Sequence, residues 1–123
     1  MDKKWKKILA ATYLAIILGG VALFSSVAPL AEANNNTVRF DGSWVSVNTA
    51  NNSRRANAQG TRLSGNAGVT VFTRLMRNFN GHSSQQGSTA SAFSQTTAIA
   101  RTTEILPGFG GTWWAEGWVH VGQ

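Results

Sequence analysis

Trp114, Glu116, Trp118 and His120 alternate near the C-terminus. Residues two apart share one face of a strand. A strand over residues 112–121 therefore sets these four in one ladder. Two indoles with a carboxylate and an imidazole can stack on sugar rings and hydrogen-bond their hydroxyls. The same face also suits a lipid headgroup boundary, where indoles are favoured. The competing use is packing, with the polar pair at the rim, and a small domain without other staples has need of it.

The arginines form a second set. Arg54, Arg55 and Arg62 lie near one expected hairpin, and Arg74 and Arg77 lie in the following strand. Guanidinium forks bind phosphate and carboxylate bidentately. The partners this suggests are an anionic cell-envelope polymer, such as teichoic acid, or an anionic membrane surface. Nucleic acid is not expected, since no binding motif accompanies the charge. Arg74 alternates in phase with Phe72 and Met76, whereas Arg77 is in phase with Leu75. The set need not form one patch, and scattered arginines also serve solubility and edge protection.

Catalysis has little to work with. There is no cysteine nucleophile and no G-x-S-x-G elbow. His82 and His120 are the imidazole bases, with Asp41 as a conceivable third member beside many serines. Glu104 and Glu116 serve as a glycosidase pair only if their carboxyl groups face each other across a substrate. Two isolated histidines give no metal-site spacing. The expectation is a non-enzymatic chain with no catalytic residue, metal or cofactor.

The N-terminus reads as an export signal. Lys3, Lys4, Lys6 and Lys7 precede an apolar run from Ile8 to Leu18, which Gly19-Gly20 weakens and Val21 to Phe24 resumes. Pro29 and then Ala31-Glu32-Ala33 follow, matching the small-residue A-x-A cleavage pattern. The rival is a retained membrane anchor, for which Ile8 to Phe24 is barely long enough. The reading is a helical secretory signal peptide over 1–33, cut between Ala33 and Asn34, and a single small β-rich domain over 34–123. The product is then secreted, with a cell-surface association open to it.

That cut changes the composition. The chain has 11 basic and 5 acidic residues, net +6. The part after Ala33 keeps seven arginines and no lysine, against Asp41, Glu104 and Glu116, a net of +4. Without cysteine, no disulfide can staple it. Its stability must come from packing of its large aromatics, from sheet pairing or from assembly into a homo-oligomer.

The apolar period is two, so strands are expected throughout. The first covers 37–47. There Val38 and Phe40 share one parity and Val45 and Val47 the other, and a bulge near Gly42-Ser43 would restore one inward face. A weak polar strand is expected over 54–63, a hairpin loop over 64–68 and a central strand over 69–77. A long loop over 78–88 comes next, then one bent strand or two over 89–106. A turn at 107–111 and the strand over 112–121 close the chain. In that last strand Trp113, Ala115, Val119 and Val121 face opposite to the Trp114 ladder. The fold class is all-β, a small antiparallel sandwich or barrel.

Gly110-Gly111-Thr112-Trp113 resembles a motif of lactococcin-like bacteriocins, which are exported, cysteine-free and rich in Trp and Gly. The match spans four residues and lies at the end of the chain, whereas the family's motif lies near the mature start, so no residue role is carried over. The resemblance implies an antimicrobial protein. The leading expectation is an exported non-enzymatic β-domain that acts at a cell surface. It would bind anionic or glycan envelope components through Trp114, Glu116, Trp118, His120, Arg54, Arg55 and Arg62. A bacteriocin-like antimicrobial protein and a self-assembling structural subunit are the alternatives.

Overall fold

Alternating small or apolar residues with polar ones make one face of each segment insoluble, and two such faces must cover each other. The computed structural model describes residues 16–19, 30–33, 35–108 and 110–123. Its elements are all strands: β1 Ile16–Gly19, β2 Leu30–Ala33, β3 Asn36–Val47, β4 Arg54–Ser64, β5 Val69–Phe79, β6 His82–Ser94, β7 Thr97–Arg101 and β8 Thr112–Val121. They form two four-stranded antiparallel sheets, ordered β1-β8-β5-β6 and β2-β3-β4-β7. Among the described residues no helix is long and apolar enough to cross a membrane.

The core lies between the sheets in two apolar clusters. One joins Val38, Phe40 and Ala58 to Val69, Val71 and Val119. The other joins Val45 and Ala56 to Leu75, Trp113 and Ala115. The layers approach closely at Gly60, where a Cβ would stand 2.7 Å from Val119 Cγ1 and 2.9 Å from Val71 Cγ2. Buried hydroxyls are paired across this core: Ser43 Oγ donates to the Ala115 carbonyl at 3.2 Å and Thr73 Oγ1 to that of Glu116 at 2.8 Å. Leaving such groups unpaired would cost about 1–3 kcal/mol each.

The expected bulge in β3 is present. Phe40 pairs with Gly60 and Gly42 with Gln59, so Asp41 is the extra residue. Val38, Phe40 and Val45 all turn inward as a result. Asp41 turns outward, where it accepts from Arg39 Nε at 2.6 Å, Gln59 Nε2 at 2.9 Å and Thr61 Oγ1 at 2.6 Å.

One expectation is corrected and one left open is decided. Residues 78–88 are not a long loop: β5 runs to Phe79 and β6 starts at His82. Asn80 (φ 53) and Gly81 (φ 80) form the two-residue connection, and two positive φ values suit the right-handed twist of a hairpin. The stretch over 89–106 is two strands in different sheets, with Gln95-Thr96 as the corner between β6 and β7. The signal helix lies largely outside the described residues, as do the four lysines and Pro29. The part that is described, Ile16–Gly19, is a strand on the edge of β8, where the unpaired groups of Trp114–Gly117 offer a partner to β-branched residues.

The expected cut after Ala33 falls at the end of β2. Leu30–Ala33 pairs with Asn36–Arg39 of β3, and Ala31 is buried. Asn34, on the far side of that cut, lies outside the described residues.

Candidate functional site

The outer face of the β8–β5 pair carries the alternating ladder. Strand β8 buries Trp113, Ala115, Gly117 and Val119 and turns Trp114, Glu116, Trp118 and His120 outward. Register sets His120 opposite Thr70, Trp118 opposite Phe72, Glu116 opposite Arg74 and Trp114 opposite Met76. On the other side of β5, Phe93 stands opposite Thr70 and Ser91 opposite Phe72. Cross-strand neighbours on one face are close enough to touch. The four positions read from sequence are thus one half of a two-strand array.

At one end the array is aromatic. Phe72 and Trp118 stack with ring centroids 5.4 Å apart and planes 12° from parallel. His120 meets Phe72 in a T-shaped arrangement, with ring centroids 5.2 Å apart. A cleft of about 340 Å³ opens beside them, lined by Thr70, Phe72, Ser91, Ala92, Phe93, His120 and Gln123. Its floor is ring and methyl surface, and its rim carries hydroxyl and amide groups. Burial holds the His120 imidazole below its ordinary pKa of 6.5. Its Nε2 is buried and has no hydrogen-bond partner.

The other end is an ion pair that fixes the array. Glu116 is 5% exposed, yet its carboxylate is fully engaged. Oε1 accepts from Arg74 Nε at 2.6 Å and Oε2 from Trp114 Nε1 at 3.2 Å. Arg74 also lies 5.9 Å from the Trp118 ring centroid. Trp118 therefore has both a stacked phenyl and a guanidinium as neighbours. Both Glu116 oxygens already accept hydrogen bonds and the side chain is nearly buried, so its place here is to orient Trp114 and Arg74.

The arginines of β4 belong elsewhere. Arg54 lies over the ring of Trp113 at 5.2 Å, at the far end of the molecule's interior. Arg55 pairs with Glu104 at 3.7 Å. Arg62 donates from Nη1 to Gln95 Oε1 at 3.4 Å. They sit in three separate environments of the second sheet and none joins the tryptophan ladder.

The catalytic constellations do not assemble either. Glu104 is tied to Arg55 and to Ser53 Oγ at 3.1 Å on the second sheet, and Glu116 to Arg74 on the first. His82 pairs with Phe79 at one end of β5, and His120 with Thr70 at the other. Asp41 lies on the second sheet among Arg39, Gln59 and Thr61. Among the described residues no group of three metal-ligating side chains converges.

Sequence reasoning missed Phe72, Phe93, Arg74 and Trp113 as site residues. Phe72 and Arg74 share a parity in β5, and pairing that parity with the β8 ladder would have found both. Phe93 depended on the Asn80-Gly81 turn, which sets the β6 register.

No known protein family model matches the chain, and no curated protein matches its sequence. Among solved structures, the Avr2 effector protein from the fungal plant pathogen Fusarium oxysporum aligns over 90% of this chain and 89% of its own. The two are 10% identical, with a TM-score of 0.41.

Proposed function

We propose that the chain is an exported, non-enzymatic β-sandwich domain that acts at a cell surface by holding sugar rings of an envelope glycan against the Phe72–Trp118–His120 shelf. The observation that carries the reading is the stacked Phe72–Trp118 pair beside the cleft. Partly exposed rings held parallel to each other offer apolar surface to one face of a pyranose. The rim hydroxyl of Ser91 and the Gln123 amide suit its hydroxyls. Trp118 and Phe72 carry the stacking, His120 and Trp114 border it, and Glu116 and Arg74 position it. Export rests on the lysine-rich, apolar, A-x-A pattern of residues 1–33.

The test is retention of purified protein on insoluble cell-wall polysaccharide at low and at high salt. Ring stacking is little screened by salt, so binding is expected at both. The Trp118→Ala variant, folded by circular dichroism, is expected to lose it. A folded wild type that is not retained, or a Trp118→Ala variant retained equally, overturns the reading.

A second reading, a self-assembling subunit, is favoured by β6. This strand is 13 residues long, lies at a sheet edge and contains no Lys, Arg, Asp, Glu or Pro. Such an edge lacks the usual guards against pairing with another chain. Light scattering that finds a monomer at all concentrations removes this reading.

A further inference from the structure

Besides the aromatic shelf, the molecule carries a cationic cleft at one end of its core, built from residues that the proposed sugar site does not use. Val45, Val47 and Arg54 from the second sheet and Gly111, Thr112 and Trp113 from the first line a cavity of about 310 Å³. Arg54 stacks over the Trp113 ring at 5.2 Å from its centroid, and Arg77 lies at 5.1 Å from the same centroid. The two guanidinium carbons are therefore at most about 10 Å apart. Neither has a carboxylate partner among the described residues. Arg77 lies behind the cleft's lining, next to Gly111, where a Cβ would stand 3.1 Å from its Nε. Gly111 itself has φ 117, which an L side chain rarely adopts.

Two cations near one indole repel each other, and among the described residues neither is paired with a carboxylate. Arg77 is pinned by donating from Nε and Nη2 to the Gly110 carbonyl. The Arg54 fork and the Thr112 hydroxyl offer hydrogen-bond donors at the cleft, and Val45 and Val47 form an apolar wall. A ligand that suits this set carries about two negative charges and a short carbon stem.

We propose that this cleft binds a phosphate monoester of a small polyol or sugar. A phosphate monoester carries about −1.5 to −2 at neutral pH and offers three acceptor oxygens. Arg54 takes two of those oxygens bidentately and Thr112 donates to the third. Arg77, beside Gly111 and near the same indole, adds positive potential at the cleft. The stem lies along Val45 and Val47. The site stands apart from the aromatic shelf and does not depend on it.

The probe is glycerol 3-phosphate, titrated into purified protein at low salt and followed by calorimetry and by tryptophan fluorescence. Saturable one-to-one binding is expected, with none for glycerol. Competition by inorganic phosphate shows that the phosphoryl group supplies the recognition. Arg54→Gln is expected to weaken binding by about tenfold or more, the scale of a lost charge-assisted contact. Arg62→Gln removes the same charge from the other end of β4, about 26 Å away at strand rise, and is expected to leave binding unchanged. Trp118→Ala is also expected to leave it unchanged, which separates this site from the sugar reading. The Arg54 side chain also packs on Trp113, so Thr112→Val, at an exposed position, serves as the second variant and is expected to weaken binding several-fold. Absence of saturable binding to folded wild type overturns the proposal. So does equal weakening by Arg62→Gln, or binding untouched by both Arg54→Gln and Thr112→Val.

Discussion

Gly117 lies directly beneath the ring of Phe40. A Cβ at position 117 would stand 2.9 Å from Phe40 Cζ and 2.9 Å from Ala58 Cβ. The glycine thus sets how closely β8 approaches β3 and β4, at the point on the ladder between Glu116 and Trp118. Gly117→Ala is expected to destabilise by about 1–3 kcal/mol, the usual cost of forcing a methyl into a packed core. Trimming the ring should relieve the strain, so Gly117→Ala with Phe40→Leu should cost less than the sum of the two single changes. Urea denaturation of the four proteins measures the coupling. Strict additivity would mean that the ring and the glycine do not constrain each other.

The Arg74–Glu116–Trp114 contact makes a second prediction, about which partner matters most. Glu116 is nearly buried, whereas the Arg74 side chain is 39% exposed. Water can take over part of what Arg74 loses, but nothing replaces the acceptor for Trp114 Nε1. Glu116→Ala is therefore expected to cost about 2–3 kcal/mol, and Glu116→Gln, which can still accept from the indole, about 1 kcal/mol. Thermal or urea unfolding checks the order. Equal costs for the two variants would show that shape, and not the acceptor, is what the site requires.

The period-two alternation made most of this array legible in the sequence. In β8 the residues that turn inward and outward are those the alternation assigns, because one face is buried and a one-residue slip would expose all of it. The switch of parity after Phe40 forced a bulge, and Asp41 is that extra residue. What stayed hidden depends on pairing between segments. The stacking of Phe72 on Trp118 requires the β5–β8 register. The approach of Arg54 and Arg77 to Trp113 requires the two sheets to be superposed, and no spacing along one strand encodes that. Asn80-Gly81 was readable as a hairpin turn, but the polar, Ser- and Gln-rich run after it resembles a loop. At the N-terminus the apolar run fits an export signal so well that it masked the strand-forming character of Ile16-Ile17 and of Leu30–Ala33.

His120 supplies the pH-dependent prediction. Its ring is partly buried in a T-shaped contact with Phe72, and desolvation holds its pKa below the ordinary 6.5. The native state thus binds fewer protons here than the unfolded chain does, and stability rises with pH wherever that difference exists. The contribution is intact above about pH 6.5. It diminishes as pH falls through the interval between 6.5 and the lowered native value, and levels off below that. Protonation in the native state would put a partly buried cation beside the cleft, which desolvation disfavours. His120→Gln removes the titrating group, so its stability should be flatter across this interval than that of the wild type. Unfolding in urea at half-unit steps between about pH 5 and pH 7.5 measures both slopes. Glycan retention by the wild type should weaken only as pH falls through the lowered native value, where the imidazole of the folded protein becomes charged and disturbs the shelf that it borders. Parallel slopes for wild type and His120→Gln would assign the acid sensitivity to the carboxylates and remove His120 from the account.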